Sequence, residues 1–96
     1  MNWNEIKEKY PKAFENLFES GMYHFDGHPR DLYDFFDSQG IYIDVTCNKA
    51  YFGCDILNAN GEYLSVQRQN STTRTEAEEK SFEKAFEILE NKLPIK

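Results

Sequence analysis

Few side chains in this sequence have the types and spacing of a reactive site. His24, Asp26 and His28 stand close together, and Cys47 and Cys54 follow downstream. Imidazole, carboxylate and thiolate are the ligands zinc takes, but zinc sites use tight pairs, and His-x3-His beside a Gly and Pro loop is half of one. The two cysteines fall in phase with the inward residues of alternating stretches, so they read as buried, reduced thiols, and no metal or other cofactor is expected. Asp31, Asp34 and Asp37 recur every third residue. A calcium loop alternates its ligands and needs a mid-loop glycine, so these three read as a solvated helix face. No Ser or Cys sits in a nucleophile elbow, and no glycine-rich loop cradles phosphate. His24 oriented by Asp26 is the best base the chain offers, and any polar loop offers as much. The expectation is a protein that is not an enzyme.

Charge is more informative. The 96 residues carry a formal net charge of −6. Between Glu15 and Asp44 there are seven carboxylates (Glu15, Glu19, Asp26, Asp31, Asp34, Asp37 and Asp44) against Arg30 alone, so this one segment accounts for the whole imbalance. Such a field repels phosphate backbones and anionic lipid and attracts basic protein surfaces. Aromatic side chains beside charge are typical of interface centres. Tyr23, Asp26, Asp31, Tyr33, Asp34 and Asp37 are therefore the expected partner-binding residues.

The elements that must position them follow from periodicity. Asn2 with Glu5 starts a helix through Lys9, with Trp3, Ile6 and Tyr10 inward. Pro11 restarts a helix to Ser20, carrying Phe14, Leu17 and Phe18 inward, and Gly21 stops it. MYHFDGHPR is a loop. A short helix over Asp31–Gln39 uses Asp31 as cap and buries Leu32, Phe35 and Phe36, with Gly40 closing it. The period then changes to two. Ile41, Ile43, Val45 and Cys47 point inward, and Tyr42, Asp44 and Thr46 outward. Asn48-Lys49 turns the chain into a second strand from about Ala50 to Leu57, with Phe52, Cys54 and Ile56 inward. Asn60-Gly61 suits a type I′ hairpin into a third strand, with Leu64 and Val66 inward and Tyr63, Ser65 and Gln67 outward. After the polar QNSTT loop, a helix over Arg74–Leu93 buries Phe82, Ala85, Phe86, Leu89 and Leu93, opened by a Thr75/Glu78 capping box.

These elements predict one α+β domain over residues 1–96, a two-layer sandwich in α-β-β-β-α order. A three-stranded antiparallel meander has the N-terminal and C-terminal helices on one face, with the extra short helix before the first strand. Tyr42, Tyr51 and Tyr63 then mark the wet sheet face, with Asp44 and Asp55 between them. Exposed sheet aromatics can stack bases, but such platforms also need cations, and cross-strand tyrosine pairing or protein contact suits this face better. Apolar runs are too short for a membrane span, and MNWNEIKEKY lacks the basic and apolar regions of a secretory signal, which points to the cytoplasm.

Two resemblances attach to these residues. The order α-β-β-β-α resembles the double-stranded RNA-binding domain, which implies duplex RNA as ligand. That family opens its final helix with a basic cluster, whereas this sequence has Glu76, Glu78, Glu79 and Lys80 there. The terminal segments NEIKEKYPKAFE and TRTEAEEKSFEKAFEILENKL resemble small uncharacterised proteins of bacteriophages and prophages, which implies a mobile-element origin. Together these readings give a small acidic protein-binding module of bacterial or phage origin with a basic protein partner. An inhibitor mimicking nucleic acid on a defence or nucleic-acid enzyme is one alternative, and an RNA-binding domain of double-stranded type is another.

Overall fold

A computed structural model of the chain describes residues 3–19, 29–48 and 51–93. The described elements are α1 (Trp3–Lys9), α2 (Pro11–Glu19), α3 (Pro29–Ser38), β1 (Ile41–Asn48), β2 (Tyr51–Asn58), β3 (Tyr63–Ser71) and α4 (Arg74–Lys92). The strands form one antiparallel sheet in the order β1-β2-β3. Helices and sheet share one apolar core, so the expected α+β sandwich in α-β-β-β-α order is what forms.

The core is built on α4, which packs against all three strands. Ala77, Ser81, Phe82, Ala85, Phe86 and Leu89 are its buried residues, at the spacing of one helix face. Phe36 of α3 lies edge-on to Phe86, with ring centroids 4.9 Å apart, and stacks on Phe82 at 6.4 Å. Such aromatic pairs add roughly 0.5–1.5 kcal/mol beyond their area burial, so α3 is held to α4 chiefly by these rings. The helix begins at Arg74 as expected, but its cap is Thr73 rather than Thr75: Thr73 has extended backbone, and its hydroxyl accepts from the Glu76 amide at 3.1 Å. The capping hydroxyl thus stands two residues before the one that the Thr75/Glu78 pattern predicts. Glu76 and Lys80 do pair, at 3.1 Å.

Polar side chains lock α2 to the end of α4. The Ala13 amide, one of the donors a helix start leaves without a partner, donates to Glu90 Oε1 at 2.9 Å. Lys12 Nζ donates to the Leu93 carbonyl at 3.1 Å and lies 3.8 Å from Glu90. With this anchoring, Ala13 and Leu17 make the buried stripe, Phe14 is half-buried and Phe18 is exposed, which corrects the inward placement of Phe18. Phe18 sits one residue, about 100° of rotation, past Leu17.

Helix α3 starts at Pro29, two residues earlier than expected, because proline's fixed φ suits a first helical position. Leu32, Phe35 and Phe36 are buried as anticipated. Gly40 closes the helix at φ +75, a conformation glycine adopts without the Cβ penalty. Lys92 Nζ donates to the Gln39 carbonyl at 3.0 Å, and Asn16 Nδ2 donates to Gln39 Oε1 at 2.6 Å, so α2 and α4 both hold this corner. The chain therefore leaves α3 directly into β1, and burial fades along that strand from Ile41 through half-buried Ile43 and Val45 to exposed Cys47. Cys47 is thus not a buried thiol: it shares the inward phase but lies past the helix cover.

The third strand departs most from expectation. The hairpin is a three-residue loop rather than a two-residue type I′ turn: Asn58 N–H donates to the Glu62 carbonyl at 2.9 Å, Gly61 N–H donates to Asn58 O at 3.0 Å, and Gly61 has φ +81. The Asn58 side chain fastens it, accepting from the amides of Asn60 and Glu62 at 2.9 and 3.0 Å. Leu57 then pairs with Tyr63, a register shift follows, and Ile56 pairs with Ser65, Asp55 with Val66 and Cys54 with Gln67. Cross-strand partners share a face. Because Ile56 and Cys54 point to the helices, so do Ser65 and Gln67, and Val66 points away. Leu64 at 42 % and Val66 at 51 % exposure are accordingly not core residues. Asp55, expected to be wet, is buried at 5 % exposure on the side away from the helices.

This phase is testable by stability. Ile56→Ala should cost about 2–5 kcal/mol in urea unfolding, the range for emptying a buried aliphatic site. Val66→Thr and Leu64→Ser should each change it by less than about 0.5 kcal/mol, as surface changes do. Losses at Val66 as large as those at Ile56 would contradict the pairing.

Candidate functional site

The expected site residues separate once the elements are placed. Tyr23 and Asp26, together with His24 and His28, lie outside the described residues. On α3, Asp34 and Asp37 are exposed and Asp31 is half-buried, and none of the three makes an ion pair among the described residues. Asp34 and Asp37 are three residues apart and therefore neighbours on the helix surface. Partial burial and then the Asp34 charge raise the Asp37 carboxyl above its ordinary range. Asp44, by contrast, sits on the sheet face opposite the helices, so the acidic segment does not fold into one patch.

Tyr33 belongs to the packing as much as to the surface. Its ring meets Phe82 edge-on, 5.1 Å between centroids. Burial first, and then the Glu78 carboxylate that its hydroxyl bonds, push its phenol far above the usual value. Cys54 is likewise a packed group: burial raises its thiol, and Sγ lies 3.7 Å from Gln67 Oε1, to which it donates. A protonated, enclosed thiol is a poor nucleophile. Among the described residues, no group of three or more His, Cys, Asp or Glu side chains is placed to hold a metal ion, and no described helix is long and apolar enough to cross a membrane.

The register assembles a surface that the sequence pattern did not reveal. On the sheet face away from the helices, Tyr42, Leu57 and Tyr63 form one row across the strands, and Asp44, Asp55 and Val66 form the next. Thr46 lies opposite Gly53 beyond them, then Asn48 opposite Tyr51. Tyr42, Tyr51, Tyr63 and Val66 are all exposed here, and Leu64 is exposed at the register shift beside them. Phe18 is the other large exposed apolar side chain among the described residues, and it lies on α2. Apolar side chains gathered on one face that no described helix covers, rather than scattered singly, mark a contact surface.

The same phase leaves a polar recess on the helix side. Because β3 turns Gln67 inward where an aliphatic residue would fill space, a depression of about 310 Å³ opens between Gln67, Tyr10, Lys80, Glu83, Lys84 and Glu87. Its charges compensate one another and their neighbours. Lys84 pairs with Glu87 at 3.3 Å, Lys80 with Glu76 at 3.1 Å, and Glu83 with Lys9 at 3.6 Å. It therefore offers a ligand no surplus charge.

Two titrations check these placements. Tyr33 loses its proton first in the unfolded chain, so its contribution to stability is complete below about pH 10 and declines as pH rises further. Tyr33→Phe should flatten that decline, read as the pH dependence of urea unfolding, and an unchanged slope would remove the Glu78 contact from the account. Asp37 ionises first in the unfolded chain too, so its charge weakens the fold once pH passes the ordinary carboxylate range. Asp37→Asn should leave the melting temperature equal or higher at neutral pH, with any gain vanishing at acid pH, and a lower neutral value would contradict this.

No protein-family model matches this chain, and no curated protein or solved structure shows significant similarity to it.

Proposed function

We propose that this chain is a small, non-enzymatic protein-binding module that docks its partner on the sheet face away from the described helices. The observation carrying this reading is the exposure of Tyr42, Tyr51, Tyr63 and Val66 on one face, with Leu64 at its border. Tyrosine supplies large contact area together with a polar tip, at little entropic cost, and a strand-borne patch is pre-ordered before the partner arrives. The carboxylates Asp31, Asp34 and Asp37 on α3, which make no ion pair among the described residues, add with Asp44 a field that draws in a basic partner. Tyr23 and Asp26, which lie outside the described residues, remain proposed partner-binding residues. A cytoplasmic module of phage or prophage origin is consistent with the terminal resemblance, and a nucleic-acid mimic would be the special case in which the partner's basic surface is a nucleic-acid channel.

The duplex-RNA alternative is weaker. The opening turns of α4 present Glu76 and Glu79 to solvent where that family needs cations.

Site-specific photocrosslinking in source cells tests the proposal. A photoreactive aromatic amino acid at Tyr63 should give a discrete protein adduct, and the same group at Glu79 on the helix side should not. No adduct at Tyr63, or the same adducts from both positions, would contradict docking through the sheet.

A further inference from the structure

We infer that the outer edge of β1 pairs with β1 of a second copy of this chain, antiparallel and two-fold, so that two sheets join into one. The pairing is independent of the sheet face that docks another protein. Among the described residues, strand order places β1 and β3 at the two edges of the sheet. Edge strands carry backbone N–H and C=O groups that their own sheet leaves without ladder partners. The two edges differ. β3 is broken by register shifts between Phe52 and Cys54 and between Ile56 and Leu57 of its neighbour, and such bulges twist an edge away from further pairing. β1 pairs with β2 from Ile41 to Asn48 without a shift. It contains no proline, glycine or lysine to blunt it, and Asp44 is the one charged residue in the strand.

The sequence of β1 points to its own copy as the partner. Ile43, Val45 and Cys47 share the helix side, and burial falls along them because the helix layer ends before Cys47. Antiparallel pairing lays the helix-covered start of one β1 beside the exposed end of the other. Cross-strand partners share a face, so apolar residues must meet apolar ones. A two-fold centred on Val45 achieves this: Val45 meets its own copy, Ile43 meets Cys47, Asp44 meets Thr46 and Tyr42 meets Asn48. Centring on Asp44 would oppose two carboxylates, and centring on Ile43 would leave Thr46 and Cys47 beyond the paired strand. In the Val45 register the Thr46 hydroxyl donates to the copy's Asp44 carboxylate, and symmetry makes that contact twice.

Sedimentation velocity of the full chain, from micromolar to millimolar concentration, tests the pairing. The chain should pass from monomer to dimer. The net charge of −6 opposes self-association, so added salt should tighten the dimer. Thr46→Lys sets a cation opposite the copy's Asp44 and should lower the dissociation constant about three- to tenfold, whereas Thr46→Asp should raise it about as much. Glu8→Gln, on the exposed side of α1, changes net charge by the same amount as Thr46→Lys and should have far less effect. Unfolding midpoints show that each variant is folded. A chain that stays monomeric throughout overturns the inference and leaves the β1 edge to a strand of another protein. A dimer that answers Thr46→Lys and Thr46→Asp alike, or answers neither, joins through another surface and overturns it too. Either result leaves the Tyr63 adduct, and with it the docking face, untouched.

Discussion

A strand has two sides, and the pairing of β2 with β3 decides which side of β3 meets the helices. Ile56 and Cys54 are fully buried under α4, so their partners Ser65 and Gln67 must share that side. Everything distinctive about the surface follows from this parity. Valine and tyrosine are left on the open face, and an amide and a hydroxyl line the covered one. The core loses aliphatic contacts that β3 could have supplied. It compensates through α3 and α4, where Phe35, Phe36, Phe82 and Phe86 fill the space between helix layer and sheet.

Much of this fold is legible in the sequence, and what is not has identifiable causes. Helical stripes in α3 and α4 are long enough to fix their own inner face, and glycine at 40 and 61 marks the reversals because both need positive φ. Ranking Leu64 and Val66 as apolar and therefore inward gives the wrong phase for β3. Counting back through the hairpin from Ile56 gives Ser65 inward with either a two-residue turn or the observed three-residue loop and register shift. The information was present, in pairing rather than in hydrophobicity. Cys47 and Phe18 teach a different lesson: each has a plausible inward phase, yet the helix layer ends before Cys47, and α2 is too short and too firmly anchored at Ala13 to bury both Leu17 and Phe18. Only tertiary cover distinguishes them.

The acidic segment shows the limit of reading a surface from contiguity along the chain. Its carboxylates are neighbours in sequence, but those among the described residues are distributed over α2, α3 and the far side of β1. Asp34 and Asp37 do come together, because three residues is close to one helical turn. Asp44 instead joins the tyrosines, and this brings charge to the apolar face. The candidate site thus combines a feature visible beforehand, the tyrosines at 42, 51 and 63, with one that needed the strand register, the exposure of Val66 beside Asp44 and Asp55.

The decisive measurement is the solvent accessibility of methyl groups by nuclear magnetic resonance, using a soluble paramagnetic probe. Val66 and Leu64 methyl signals should be strongly attenuated while those of Ile56, Leu89 and Ile41 survive, with cross-relaxation linking Ser65 to Ile56. Protected Val66 and Leu64 methyls would mean that β3 turns its apolar side to the helices, and the open face would lose the surface on which the functional reading stands.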